Sequence, residues 1–94
     1  MSNPYVIVRT AQAGCFAGEL VSRDSSEARM VNARRLWYWA GAASLSGLAV
    51  HGTTRPTDCK FPAAVSVTLL GVIEVIDVTD AARESISGVP EWKS

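Results

Sequence analysis

Apolar positions along this chain recur every second residue far more often than every third or fourth, so strands dominate the prediction. Tyr5-Val6-Ile7-Val8-Arg9-Thr10 is β-branched and aromatic and reads as a first strand. Ala11-Gln12-Ala13-Gly14 turns the chain, and Cys15 to Ser22 reads as the second strand. Phe16 and Leu20 share one face there, with Gly18 between them as a place where a neighbour can approach closely. After a polar loop at Arg23-Asp24-Ser25-Ser26, a third strand is predicted from Glu27 to Trp39. That exceeds the usual ~3–10 residues and calls for a bend or bulge near Asn32-Ala33. One face reads Val31, Ala33, Arg35, Trp37, Trp39 and the other Met30, Asn32, Arg34, Leu36, Tyr38. Neither is cleanly polar, as expected of a strand central in a covered sheet or buried against another subunit.

Gly41-Ala42-Ala43 interrupts the alternation, and Leu45, Leu48 and Ala49 then fall on one helical face behind Ser44, a side chain suited to capping. This predicts a short helix over 44–50, weakened by about 1 kcal/mol at Gly47 relative to alanine. Residues 51–62 read as loop, with a short extended piece at Cys59-Lys60-Phe61. Val65 to Leu69 and Val72 to Val78 alternate as two further strands on either side of Leu70-Gly71. Thr79 or Asp80 caps a second helix near 80–87, which Gly88 ends. The tail Val89-Pro90-Glu91-Trp92 is too apolar for a free end, and Trp92 is expected to dock on the body. The sum is a single α+β domain over 1–94: a small, mostly antiparallel sheet or half-open barrel of about five strands with two short helices.

Composition sharpens this picture. Hydrophobic residues make up 48% and charged residues 19%, the latter below the usual ~25%. That is more apolar surface than a monomer of 94 residues hides easily, so a homo-oligomer is expected. Nine Lys and Arg balance nine Asp and Glu, leaving no overall field to favour double-stranded DNA or an anionic membrane. No apolar run approaches ~18 residues, and no basic segment precedes a shorter one, which favours the cytoplasm. Cys15, Cys59 and the single His51 supply too few soft ligands for a closed zinc site, so neither metal nor cofactor is expected.

The same count limits catalysis. His51 is the only histidine to pair with a cysteine or serine nucleophile, and it lies in a loop; the chain reads as a non-enzyme. Candidate binding chemistry concentrates in Arg34-Arg35-Leu36-Trp37-Tyr38-Trp39, which holds two of the three Trp and an arginine pair. Guanidinium beside indole stacks planar ligands and holds anions, and also builds interfaces. Arg35, Trp37 and Trp39 lead straight into Gly41–Ser44, where free N–H groups at a helix start favour an anion. That turn matches neither GxxxxGK[ST] nor GxGxxG. Arg55, in the polar loop Thr53-Thr54-Arg55-Pro56-Thr57-Asp58, adds a cation able to close over a ligand, though a solvated turn explains the loop equally well. The candidate ligand-binding set is therefore Arg35, Trp37, Trp39, Gly41, Ser44 and Arg55, with Leu36 and Tyr38 as candidate interface residues. Beside it stands the plainer reading: both tryptophans in the core and Arg35 paired with an acid.

The segments Tyr5–Thr10, Ala13-Gly14, Phe16–Glu19, Asn32–Trp39 and Ala42–Leu45, with Cys59–Phe61 and Val89–Trp92, together resemble a family of small tailed-phage and prophage proteins. Arg-Arg-Leu-Trp-Tyr-Trp is the most specific part of the likeness. The resemblance implies phage origin and action in the host cytoplasm, and it carries over no functional residue. Small phage accessory proteins commonly bind a host protein or sequester a nucleotide signal of host defence. The leading expectation is thus a non-enzymatic accessory that counters host defence by sequestering a nucleotide-like ligand. The alternatives are an inhibitor that binds a host protein through the aromatic strand, or a structural or replication accessory.

Overall fold

In the computed structural model, which describes residues 3–93, five strands form one antiparallel sheet. They are β1 (Tyr5–Thr10), β2 (Cys15–Asp24), β3 (Glu27–Arg35), β4 (Val65–Leu70) and β5 (Val72–Asp77), in the order β4-β3-β2-β1-β5. Two helices follow the expected positions: α1 (Leu45–His51) and α2 (Asp80–Ser87). Ser44 Oγ accepts from Gly47 N at 3.1 Å and Thr79 Oγ1 from Ala82 N at 3.1 Å, so both helices start at the capping side chains that the sequence indicated. The protein is an α+β domain with an open, curled sheet.

The curl follows from the register. Leu70 pairs with Glu27 at the tip of the β2–β3 hairpin, whereas Val72 pairs with Thr10, beside the other end of β2. Only Gly71 separates them, with φ 74°. A straight ten-residue strand would hold those ends about 33 Å apart. The hairpin must therefore fold back over β1. It does so where the pairing slips, between Ala17 and Glu19 and between Met30 and Ala33. Gly18 permits the bend, because a Cβ there would lie 2.6 Å from Ala33 Cα. Across from it Asn32 takes φ 50°, its amide donating to Glu19 Oε2 at 2.7 Å. The close approach at Gly18 and the irregularity at Asn32-Ala33 were both legible in the residues.

Curling gives each face of the sheet its own core. On the outer face Ile7, Ala17, Leu36 and Phe61 pack with Leu48 of α1 and Ile86 of α2. On the inner face Val6, Val8, Phe16, Met30, Ala33 and Leu69 pack against one another inside the curl. The two-sided apolarity of β3 is thus satisfied within one chain, and self-association is not needed to bury it.

The predicted third strand is corrected at its C-terminal end. β3 stops at Arg35, not Trp39, because its partner β2 begins at Cys15, whose carbonyl takes the last bond from Leu36 N at 2.8 Å. Beyond that point the chain changes partner: Tyr38 bridges Lys60, and Phe61 in turn bridges Glu91. The strict alternation of Arg35, Trp37 and Trp39 on one face ends with the strand. No helix among the described residues is long and apolar enough to cross a membrane.

Candidate binding surface

The consecutive arginines fall on opposite faces of β3. Arg34 stands opposite Ala17 on the helix side and is only 8% exposed. A guanidinium has five N–H donors, and here every one meets a backbone carbonyl. Nε donates to Pro62 O at 3.1 Å, Nη1 to Ile86 O at 2.9 Å and Val89 O at 2.8 Å, and Nη2 to Phe61 O at 2.7 Å and Pro90 O at 3.4 Å. Arg34 therefore ties β3 to residues 61–62, to the C-terminal end of α2 and to the tail. Its charge also complements the negative end of that helix. Burial lowers its pKa, with Tyr5 and Glu91 opposing the shift. Arg34 is structural; the two-residue alternation set it on the face opposite Arg35 but did not reveal the carbonyls that enclose it.

Arg35 stands opposite Phe16 and lies with its guanidinium 4.5 Å from the centre of that ring. Nη1 donates to Ala13 O, in a turn held by Thr10 Oγ1, which accepts from Ala13 N and donates to Gly14 O at 2.8 Å each. Among the described residues no carboxylate pairs with Arg35, and its Nε and Nη2 meet no protein acceptor; the ion pairs there are Arg9–Glu74, Arg55–Asp58 and Lys93–Glu91. Arg35, Trp37 and Cys15 line a hollow of about 300 Å3 beside this turn. Burial raises the Cys15 thiol pKa, with a smaller opposing effect from Arg9 and a smaller reinforcing one from Glu74.

The other sequence-predicted ligand residues lie away from that hollow. Trp39 packs partly buried against the helix-side core. Gly41, at φ 79°, fits closely under the 53–55 loop, where a Cβ would meet the backbone nitrogens of Thr54 and Arg55 at 2.7 Å. Thr53 Oγ1 donates to Ala40 O, fastening loop to turn. Ser44 is occupied as the α1 cap, and Arg55 pairs with Asp58 at 2.8 Å in an exposed 3-10 turn. The structure thus brings Arg35 to Trp37 and Gly41 to Arg55 without joining the two pairs. Leu36, taken as an interface residue, is 4% exposed and belongs to the core.

Tyr38, the other interface residue, is 52% exposed, and Trp37 is 62% exposed. Trp37 stacks on Trp92, with centroids 6.5 Å apart and planes 8° from parallel. Trp92 is fixed by its N–H to Phe61 O at 3.1 Å, so the tail docks as expected. Lys60 Nζ lies 6.0 Å from the Tyr38 ring and 5.5 Å from the Trp92 ring. Lys60 was not a candidate from sequence, because its cross-strand pairing with Tyr38 is what places it here. The outcome is a surface strip of three aromatic rings around one ammonium. Among the described residues no group of three His, Cys, Asp or Glu is placed to hold a metal ion.

Residues 3–86 match the family described as "Domain of unknown function (DUF6948)". The chain belongs to this family. No curated protein and no solved structure matches it. Trp37, Tyr38, Lys60 and Arg35 lie within the matched span of DUF6948, and Trp92 lies beyond it.

Proposed function

We propose that this protein is a non-enzymatic binding module whose partner is another protein, engaged through the strip of Trp37, Tyr38, Lys60 and Trp92. The observation that carries this reading is the exposure of two adjacent aromatic residues, Trp37 and Tyr38, at 62% and 52%, in a chain whose other described aromatic rings are buried or half-buried. Tryptophan and tyrosine dominate the energetics of protein interfaces, and a stacked pair is already ordered before binding. The resemblance to small phage proteins supports a host defence component as that partner. Capture from host lysate tests it: wild type should retain a stoichiometric protein, and Trp37→Ala/Tyr38→Ala should lose it with folding intact. Equal capture by both forms would remove the strip from the function.

A second reading, sequestration of a nucleotide-like ligand, draws on Arg35 and Trp37 sharing a hollow in which, among the described residues, no carboxylate pairs with the guanidinium. A thermal-shift panel of linear and cyclic nucleotides separates the two. Ligand at 100 times its dissociation constant stabilises the fold by ~2.7 kcal/mol.

A further inference from the structure

β4 ends the sheet order and pairs only with β3; among the described residues no other backbone group bonds to Val65–Leu70. Natural edge strands are usually guarded by charge, proline or a bulge. β5, at the opposite edge, carries Glu74 and Asp77, whereas β4 reads Val-Ser-Val-Thr-Leu-Leu, and no charged residue occurs from Phe61 to Ile73. Val67, Thr68, Leu69 and Leu70 together line a hollow of about 360 Å3. Successive side chains of a strand point to opposite faces, so four in a row reach one hollow only along the strand's edge. The same hollow holds Phe16 and Arg35, with Gln12 and Ala13 forming the facing wall. An unguarded edge, an apolar floor and an unneutralised cation thus meet in one place.

We infer that an extended segment of the partner adds to β4 as a further strand and sets a carboxylate against Arg35. This rests on the reading that the partner is a protein. Main-chain bonding along β4 supplies affinity, while Leu70 and Val65, 66% and 50% exposed, receive apolar side chains. Arginine selects the acid, since guanidinium and carboxylate form paired charge-assisted hydrogen bonds. A symmetric β4–β4 pairing with a second copy does not complement the site, because it brings no carboxylate to Arg35.

The test uses amidated, acetylated hexapeptides that alternate Val and Thr and carry a single Glu, Gln or Lys. The Glu peptides should bind about ten-fold more tightly than the others, the usual scale for one charged hydrogen bond. They should slow amide exchange along β4 and shield Cys15, in the adjoining hollow, from alkylation. Arg35→Gln should abolish the preference for Glu and Arg35→Lys should restore part of it, with melting temperatures confirming that both variants fold. Equal binding of the three peptide types, binding weaker than about 1 mM, or exchange protection away from β4 would overturn the inference. So would a concentration-dependent dimer that protects β4 amides without peptide, which would give the edge to a second copy. Peptide failure with lysate capture still dependent on Trp37 and Tyr38 overturns the β4 assignment alone; the reverse pattern overturns the strip alone.

Discussion

Arg34 and Arg35 are adjacent in the chain, yet one lies under the helices and the other at the open seam of the curled sheet. On the helix side the guanidinium is enclosed by five carbonyls from three segments. At the seam the same group touches one carbonyl and one ring. A buried cation is tolerated only when its donors are all met, and Arg34 meets that condition without any acid. A cation that keeps free donors beside an apolar floor remains able to take a ligand. The difference shows how one strand divides identical side chains between architecture and recognition, its two-residue period sending neighbours to opposite faces.

The largest expected effect separates these two residues. Arg34→Met strands several buried carbonyls and should cost about 3–5 kcal/mol, enough to unfold a domain of this size near body temperature. Arg35→Met loses one hydrogen bond and one cation–ring contact and should cost about 1 kcal/mol. Urea unfolding of both variants checks this, and equal losses would break the contrast. A smaller effect tests the bend that creates the seam. Gly18→Ala places a methyl against the Ala33 backbone and should cost about 1–3 kcal/mol. Because the bend keeps β4 close to Arg35, this variant should also weaken binding of the Glu-bearing peptides. Wild-type stability in Gly18→Ala would mean that the hairpin closes by another route.

Local signals made most of the fold legible. Capping side chains at Ser44 and Thr79, alternation in β1, β4 and β5, and the Gly18 and Asn32 irregularities are all properties of a few adjacent residues. The end of β3 was not legible, because it depends on where β2 begins and on the chain's transfer to Lys60. The candidate site split for the same reason. Trp37, Trp39 and Gly41 are close in sequence, and continued alternation would have kept both indoles beside Arg35. Once the strand ends, Trp37 turns to the tail and Trp39 to the helices. Lys60 and the β4 edge became visible only through contacts between segments distant in sequence.

The smallest expected effect concerns pH and again contrasts the two sides. Tyr5 packs against the helix-side core, and burial raises its phenol pKa above the ordinary value of about 10, against lowering by Ser87, Arg34 and Arg83. Cys15, packed against the same core, is raised by burial as well. A raised folded-state pKa means that the unfolded chain loses its proton first. Stability is then fully present below the unfolded values and declines as pH rises through the folded ones. Wild type should therefore lose stability between about pH 9 and 11, where carboxylates no longer titrate. Tyr5→Phe and Cys15→Ala should each flatten that decline, and the double variant should flatten it further. Unfolding midpoints at pH 7, 9 and 11 measure this directly. A decline identical in wild type and the double variant would place the alkaline sensitivity elsewhere and remove the helix-side core as its source.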